Sequence, residues 1–310
     1  MKAGHLPGSG LPTYLLFSLP ANLPVERHRF HQPQLRPHPM KLNIVPARTG
    51  LAWIKLGFRT YLQQPLALSG LFFMFMTLLS VATLVPFIGS ALALALLPAA
   101  TLGLMAATQE AVKGKFPMPT ILISAFRAGR QRMRAMMVLG ALYAAGFFII
   151  MAISTLVDGG QFARLYLLGG KITEEMVLQG NFQAAMWLTL LLYLPLSLLF
   201  WHAPALVHWH GVAPVKSLFF SFMACTGNWR ALTLYGLAWA AIGVGTIIVI
   251  TVISALLGNP AFAALAMFPV ALLLMAMFFT SIYFTFRDSF TDSPSGPVSA
   301  ALINPSGDPT

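Results

Sequence analysis

From residue 66 to residue 285 the chain alternates long apolar runs with short polar breaks. Six runs, at about 66–85, 88–108, 135–157, 184–206, 232–257 and 262–285, each approach the roughly 20 residues that a helix needs to cross a bilayer core. The breaks at Pro86-Phe-Ile-Gly89 and Gly258-Asn-Pro-Ala261 are short and uncharged, so spans one and two, and five and six, are predicted to be tight hairpins. Ahead of the first run the period changes. Between Ala47 and Gln63, Leu51, Ile54, Phe58 and Leu62 share one face at about 100° per residue, with Arg48, Lys55 and Arg59 on a neighbouring stripe. This pattern predicts a helix lying in the membrane interface, or one capping the end of a bundle, and Pro65 ends it.

The charged residues orient this pattern. Lys113, Lys115, Arg127, Arg130, Arg132 and Arg134 fall between the second and third runs, with Glu110 just upstream. The loop from Asp158 to Gln183 holds Arg164 and Lys171 against Asp158, Glu174 and Glu175. Leaving aside residues 1–39, two basic residues fall on one side of the expected membrane and thirteen on the other. Basic loops stay on the side of synthesis, so both ends of the chain are expected in the cytoplasm. Composition agrees with a membrane setting: 57% of residues are hydrophobic and only 9% charged, against about 25% in a typical soluble domain. The net charge of +11 resides in cations beside apolar spans, which favours anionic headgroups over nucleic acid. Cys225 is the single cysteine, so no intramolecular disulfide forms.

Residues 1–39 are interrupted by seven prolines, and their apolar piece from Tyr14 to Leu19 is too short for a span or a signal peptide. They read as a disordered extension or as a segment ahead of the true start, Met40 being favoured as that start. Residues 40–288 form the expected six-span domain, and residues 289–310, rich in Ser, Pro and Gly, a disordered tail.

An internal repeat runs through the spans. Pro98, Leu102, Gly114 and Pro117 match Pro195, Leu199, Gly211 and Pro214 at an offset of 97. After one deletion, Phe126, Arg134, Ala135 and Gly140 match Phe222, Arg230, Ala231 and Gly236. With Pro269 in the sixth span and Ala47–Gln63 as a first amphipathic segment, the economical description is three units, each an interfacial helix followed by a transmembrane hairpin. Such copies share one orientation, as in parallel-repeat transporters. Prolines inside helices remove a backbone donor and kink the chain, so Pro98, Pro195 and Pro269 are candidates for lining a cleft, or for packing alone.

Candidate chemistry is sparse. By these boundaries no ionisable residue lies inside a span, which argues against a proton pump or ion exchanger but not against passage of a neutral solute. His202, His208 and His210 form the one ligand-like group, although His208 and His210 cannot share a helical face. Interfacial anchoring is the plainer role, and no metal or cofactor is predicted. The sixteen methionines are dispersed and read as packing. Arg127, Arg130 and Arg134 fall on one helical stripe, with Leu122, Phe126, Met133 and Met137 on another. Lipid phosphate is their natural partner, together with Arg48, Lys55, Arg59 and Arg230, unless they serve topology alone. Walker loops, nucleophile elbows and His-Glu-x-x-His motifs are missing, so no catalytic residue is predicted.

Val45-Pro-Ala-Arg-Thr-Gly-Leu-Ala-Trp53, Gly57-Phe-Arg, Gln64-Pro-Leu-Ala-Leu68, Ser221-Phe and Asn228-Trp-Arg-Ala231 resemble a family of small six-pass bacterial cytoplasmic-membrane proteins of unknown function. The resemblance spans about residues 40–288 and implies a location and a topology, with members starting near Met40. The resulting expectation is an all-α integral membrane protein of the bacterial inner membrane, built as three hairpins each preceded by a cytoplasmic-side amphipathic helix. Its expected role is a non-enzymatic accessory or scaffold that contacts anionic lipid, a membrane-protein partner or further copies of itself. The alternative is a transporter of a neutral or lipid-like small solute.

Overall fold

The computed structural model describes residues 40–292. Two three-residue strands, β1 (Met40–Leu42) and β2 (Phe290–Asp292), bracket twelve α-helices. These are α1 (Thr49–Gln63), α2 (Pro65–Thr83), α3 (Gly89–Val112), α4 (Ser124–Arg127), α5 (Arg130–Asp158) and α6 (Gln161–Leu168). They continue as α7 (Glu174–Leu178), α8 (Gly180–Phe200), α9 (Ala203–His210), α10 (Pro214–Gly227), α11 (Trp229–Leu256) and α12 (Pro260–Ser289). A 3-10 turn, Pro119–Ile123, leads into α4. Pro65, Pro204, Pro214 and Pro260 stand at helix starts, where a missing backbone N–H costs nothing.

Six helical stretches are long and apolar enough to cross a membrane: α2, α3, α5, α8 continued through α9, α11 and α12. In each of the three pairs α2–α3, α5–α8 and α11–α12 the two helices pack on each other. The centre is α3, 56% of whose apolar window is buried, against 6% for α11 and for α12. The last two spans therefore turn most of their surface outward. With 30 residues at 1.5 Å rise, α12 is about 45 Å long, longer than the roughly 30 Å hydrocarbon core. Its final turns carry Arg287 and Asp288, which pair at 2.7 Å.

Around those turns α1 docks, on a face that shares only one edge with the predicted apolar stripe: Ile54 is buried and Phe58 stacks on Trp239. Gly50, Trp53, Ile54, Gly57, Thr60 and Tyr61 are buried, whereas Leu51 and Leu62 stay exposed. The centre of the buried face lies about 100° around the helix from the centre of the Leu51, Ile54, Phe58 and Leu62 stripe. The reason is close approach. A Cβ at Gly50 would collide with the Ala231 carbonyl, and one at Gly57 would lie 2.5 Å from the Ser281 Cβ. Small residues let backbones approach, as membrane helix interfaces favour, and Trp53 fills the gap between the two glycines completely buried. The exposed leucines then face outward, between the packed face and the cations.

The predicted arginine stripe is divided between two helices. Gly129 has φ 98°, a conformation that ends α4 before α5 begins. Arg127 therefore lies on a different helix from Arg130 and Arg134. For the same reason Leu122 and Phe126 do not continue into the Met133–Met137 face.

Candidate functional site

The bundle gathers its polar structure at one end. There β1 pairs antiparallel with β2, Leu42 opposite Phe290. The Asn43 amide donates to the Ser289 carbonyl at 2.9 Å, and its side-chain amide to the Asp288 carbonyl at 2.9 Å. Asn228, buried at the start of α11, closes the knot. Its Oδ1 accepts from the Val45 amide at 2.8 Å, and its Nδ2 donates to the Asn43 carbonyl at 3.0 Å and to Ser289 Oγ at 3.4 Å. Beside it the Trp53 indole N–H donates to Asp288 Oδ2 at 2.9 Å, while Arg287 Nε meets Asp288 Oδ1 at 2.7 Å.

All seven predicted headgroup-contact residues, Arg48, Lys55, Arg59, Arg127, Arg130, Arg134 and Arg230, are exposed, and none pairs with an acid among the described residues. Arg230 instead lies over the Trp229 ring, 5.5 Å from its centroid. Arg130 and Arg134 open α5, whose first turn has no acid. Positive charge at a helix N-terminus opposes the helix dipole, so these side chains gain nothing locally and are free for an anion.

Where the end of α3 meets the 3-10 turn, α4 and α9, the surface opens into a cleft of about 470 Å³. Glu110, Phe116, Thr120, Ser124, Arg127 and His208 are among its lining residues. Ser124 Oγ and His208 Nδ1 are shielded from solvent without a hydrogen-bond partner. Glu110 is held by Lys113 at 3.1 Å and Lys115 at 4.0 Å. Arg127 and His208 belong to separate patterns in the sequence; their meeting depends on α9 folding back beside the 3-10 turn.

The three helix-interior prolines do not share a cleft. Pro98 is buried and lines a cavity of about 170 Å³ with Tyr143, Tyr193, Ser197, Trp201 and Phe278. Pro195 and Pro269 are exposed and do not line it. The Tyr143 and Tyr193 hydroxyls hydrogen-bond at 3.0 Å across it. The hydroxyls of Thr101 and Ser197 are already spent on carbonyls of their own helices. Gly114 and Gly211 both take positive φ at helix ends, at 73° and 65°.

The histidines enter different surroundings. His202 is fully buried, with both ring nitrogens unpartnered among the described residues, against the Phe286 and Phe290 rings. His208 faces the cleft, and His210 packs on Phe286. No three His, Cys, Asp or Glu side chains among the described residues come together to hold a metal. Cys225 is buried against the Leu198 carbonyl, and burial pushes its thiol up to about 12. At the opposite end, Asp158 accepts from the amides of Gly160 at 2.8 Å and Phe162 at 2.6 Å, fixing the start of α6.

No family model matches the chain, and no solved structure is significantly similar. The chain is 37% identical over 262 residues to a protein of Burkholderia thailandensis named "Probable inner membrane protein", covering 83% of this chain and 97% of that one. The chain accordingly belongs to the same family of inner-membrane proteins, and its six long apolar helices make it a multi-pass member.

Proposed function

We propose that this protein is a non-enzymatic accessory or scaffold protein that holds anionic lipid, a membrane-protein partner or a second copy of itself against its cationic end. In this reading the cationic end is cytoplasmic and both ends of the chain lie inside. The fold then consists of three hairpins, with α1, the turn through α4, and α10 as their interfacial helices. The observation that carries the reading is the set of seven exposed cations without acidic partners, three of them placed against the helix dipole or at a helix start. An accessory role needs no reacting group, and the polar network around Asn228 is spent on joining chain segments.

The test is purification in mild detergent followed by native mass spectrometry, with reporter fusions after residue 130 and within residues 169–173. Co-purified anionic lipid or a stoichiometric protein, with the first fusion reporting cytoplasm and the second periplasm, is the expected result. Inverted reporters, or a protein carrying only zwitterionic lipid and no partner, refute the reading.

The cavity beside Pro98 favours a second reading, passage of a small neutral solute. At about 170 Å³ it is below the roughly 300 Å³ of ordinary ligand pockets, so a solute would have to be small and apolar. Uptake into proteoliposomes that Tyr193→Trp abolishes would favour transport over the accessory role.

A further inference from the structure

We propose that the cleft between the end of α3, the 3-10 turn, α4 and α9 is a binding site for a phosphate mono- or diester, the chemical class of anionic lipid headgroups. The proposal rests on the lipid-contact reading above and assigns it a place. Four observations converge on it. Arg127 supplies an exposed guanidinium with no acidic partner among the described residues, in a planar fork that suits phosphate oxygens. Arg132, which does not line the cleft, lies within electrostatic range of its lining residue His208 and adds positive potential there. Ser124 and His208 line the cleft, and Ser124 Oγ and His208 Nδ1 make no hydrogen bond among the described residues, so neither is committed elsewhere. The one lining acid, Glu110, is already engaged by Lys113 and Lys115, so it does not repel an incoming anion with a full charge.

The rim distinguishes an amphiphile from a free ion. Phe116 and Met118 line the cleft and are 64% and 62% exposed. Inorganic phosphate has no use for such a shoulder, whereas acyl chains entering beside a headgroup would cover it.

The experiment uses the full chain in nanodiscs of phosphatidylcholine doped with phosphatidic acid. Retained lipid is read by native mass spectrometry, and short-chain phosphatidic acid, glycerol 3-phosphate and inorganic phosphate serve as competitors. Wild type is expected to retain phosphatidic acid, and Arg127→Gln to weaken retention about tenfold, the worth of one charge-assisted hydrogen bond. Arg59→Gln removes the same charge outside the cleft and is expected to change it less than twofold. Ser124→Ala and Thr120→Val, each expected to cost severalfold, carry the test if Arg127→Gln does not fold. Equal losses for Arg127→Gln and Arg59→Gln would overturn the cleft while leaving diffuse lipid contact standing. Failure of wild type to retain any phosphatidic acid would overturn the lipid-contact reading itself. Displacement by inorganic phosphate as effectively as by short-chain phosphatidic acid would keep the phosphate site but reject the lipid as its source.

Discussion

Replacing Asn228 with alanine should unfasten the strand pair while leaving the spans in place. The side chain is 2% exposed and serves two backbone groups of the β1–α1 connection, the Val45 amide and the Asn43 carbonyl. Alanine leaves both without their partner, and each orphaned group costs about 1–3 kcal/mol when buried. Part of that is recovered, because Asn43 lies near the surface and water reaches it once the strand loosens. A net loss of about 3 kcal/mol follows, confined to local opening of residues 40–47 and 289–292, and it corresponds to roughly hundredfold faster exchange. Hydrogen exchange by mass spectrometry in nanodiscs reads those two segments directly, with peptides from α3 and α5 as internal controls. Asn228→Asp retains an acceptor for Val45 but loses the donor, and should fall between wild type and alanine. Unchanged protection at Val45 in the alanine variant would refute the assignment of Asn228 as the fastener, as would uniform loss of protection throughout the bundle.

Gly50→Val should destabilise the protein by about 3 kcal/mol or more and lower its thermal midpoint in detergent, because the new Cβ meets the fixed Ala231 backbone; Leu51→Val on the exposed flank should be nearly silent. Asp158→Ala, which strands the Gly160 and Phe162 amides, should cost about 2 kcal/mol and raise proteolysis around α6. Cys225 should resist water-soluble maleimide at pH 8 in the folded protein and react fully in SDS. Its folded pKa is raised, so the stabilisation from a neutral buried thiol is complete below about pH 9 and is lost as pH climbs toward about 12; a Cys225→Ala variant should show a weaker alkaline decline in thermal midpoint.

The six spans were readable because backbone in a bilayer has to satisfy its own hydrogen bonds, which leaves helix length and apolarity as the dominant signal. The face of α1 was readable at one edge only. Hydropathy points to Leu51, Ile54, Phe58 and Leu62, of which Ile54 and Phe58 do pack inward; the rest of the docking face is decided by how closely backbones approach, and Gly50 and Gly57 carry that information without adding to an apolar stripe. The arginine stripe failed on one glycine: a 100° period assumes an unbroken helix, and Gly129 breaks it. The prolines were correctly found inside helices, but sequence period alone does not say which side of a span faces the centre, and Pro98 alone turns inward. The Asn228 knot joins residues 185 and 61 positions apart, beyond the reach of any local pattern.

The pairing of β1 with β2 makes the described chain a closed circuit, its entrance and exit laced together at a single pole. A nick in the distal loop, between α6 and α7, would divide the molecule into two three-span pieces, yet each piece would still carry one half of the lacing. Helix α1 of the first piece grips α11 and α12 of the second, so the fragments possess a built-in way to recognise one another. The seam of the molecule is thus also its clasp.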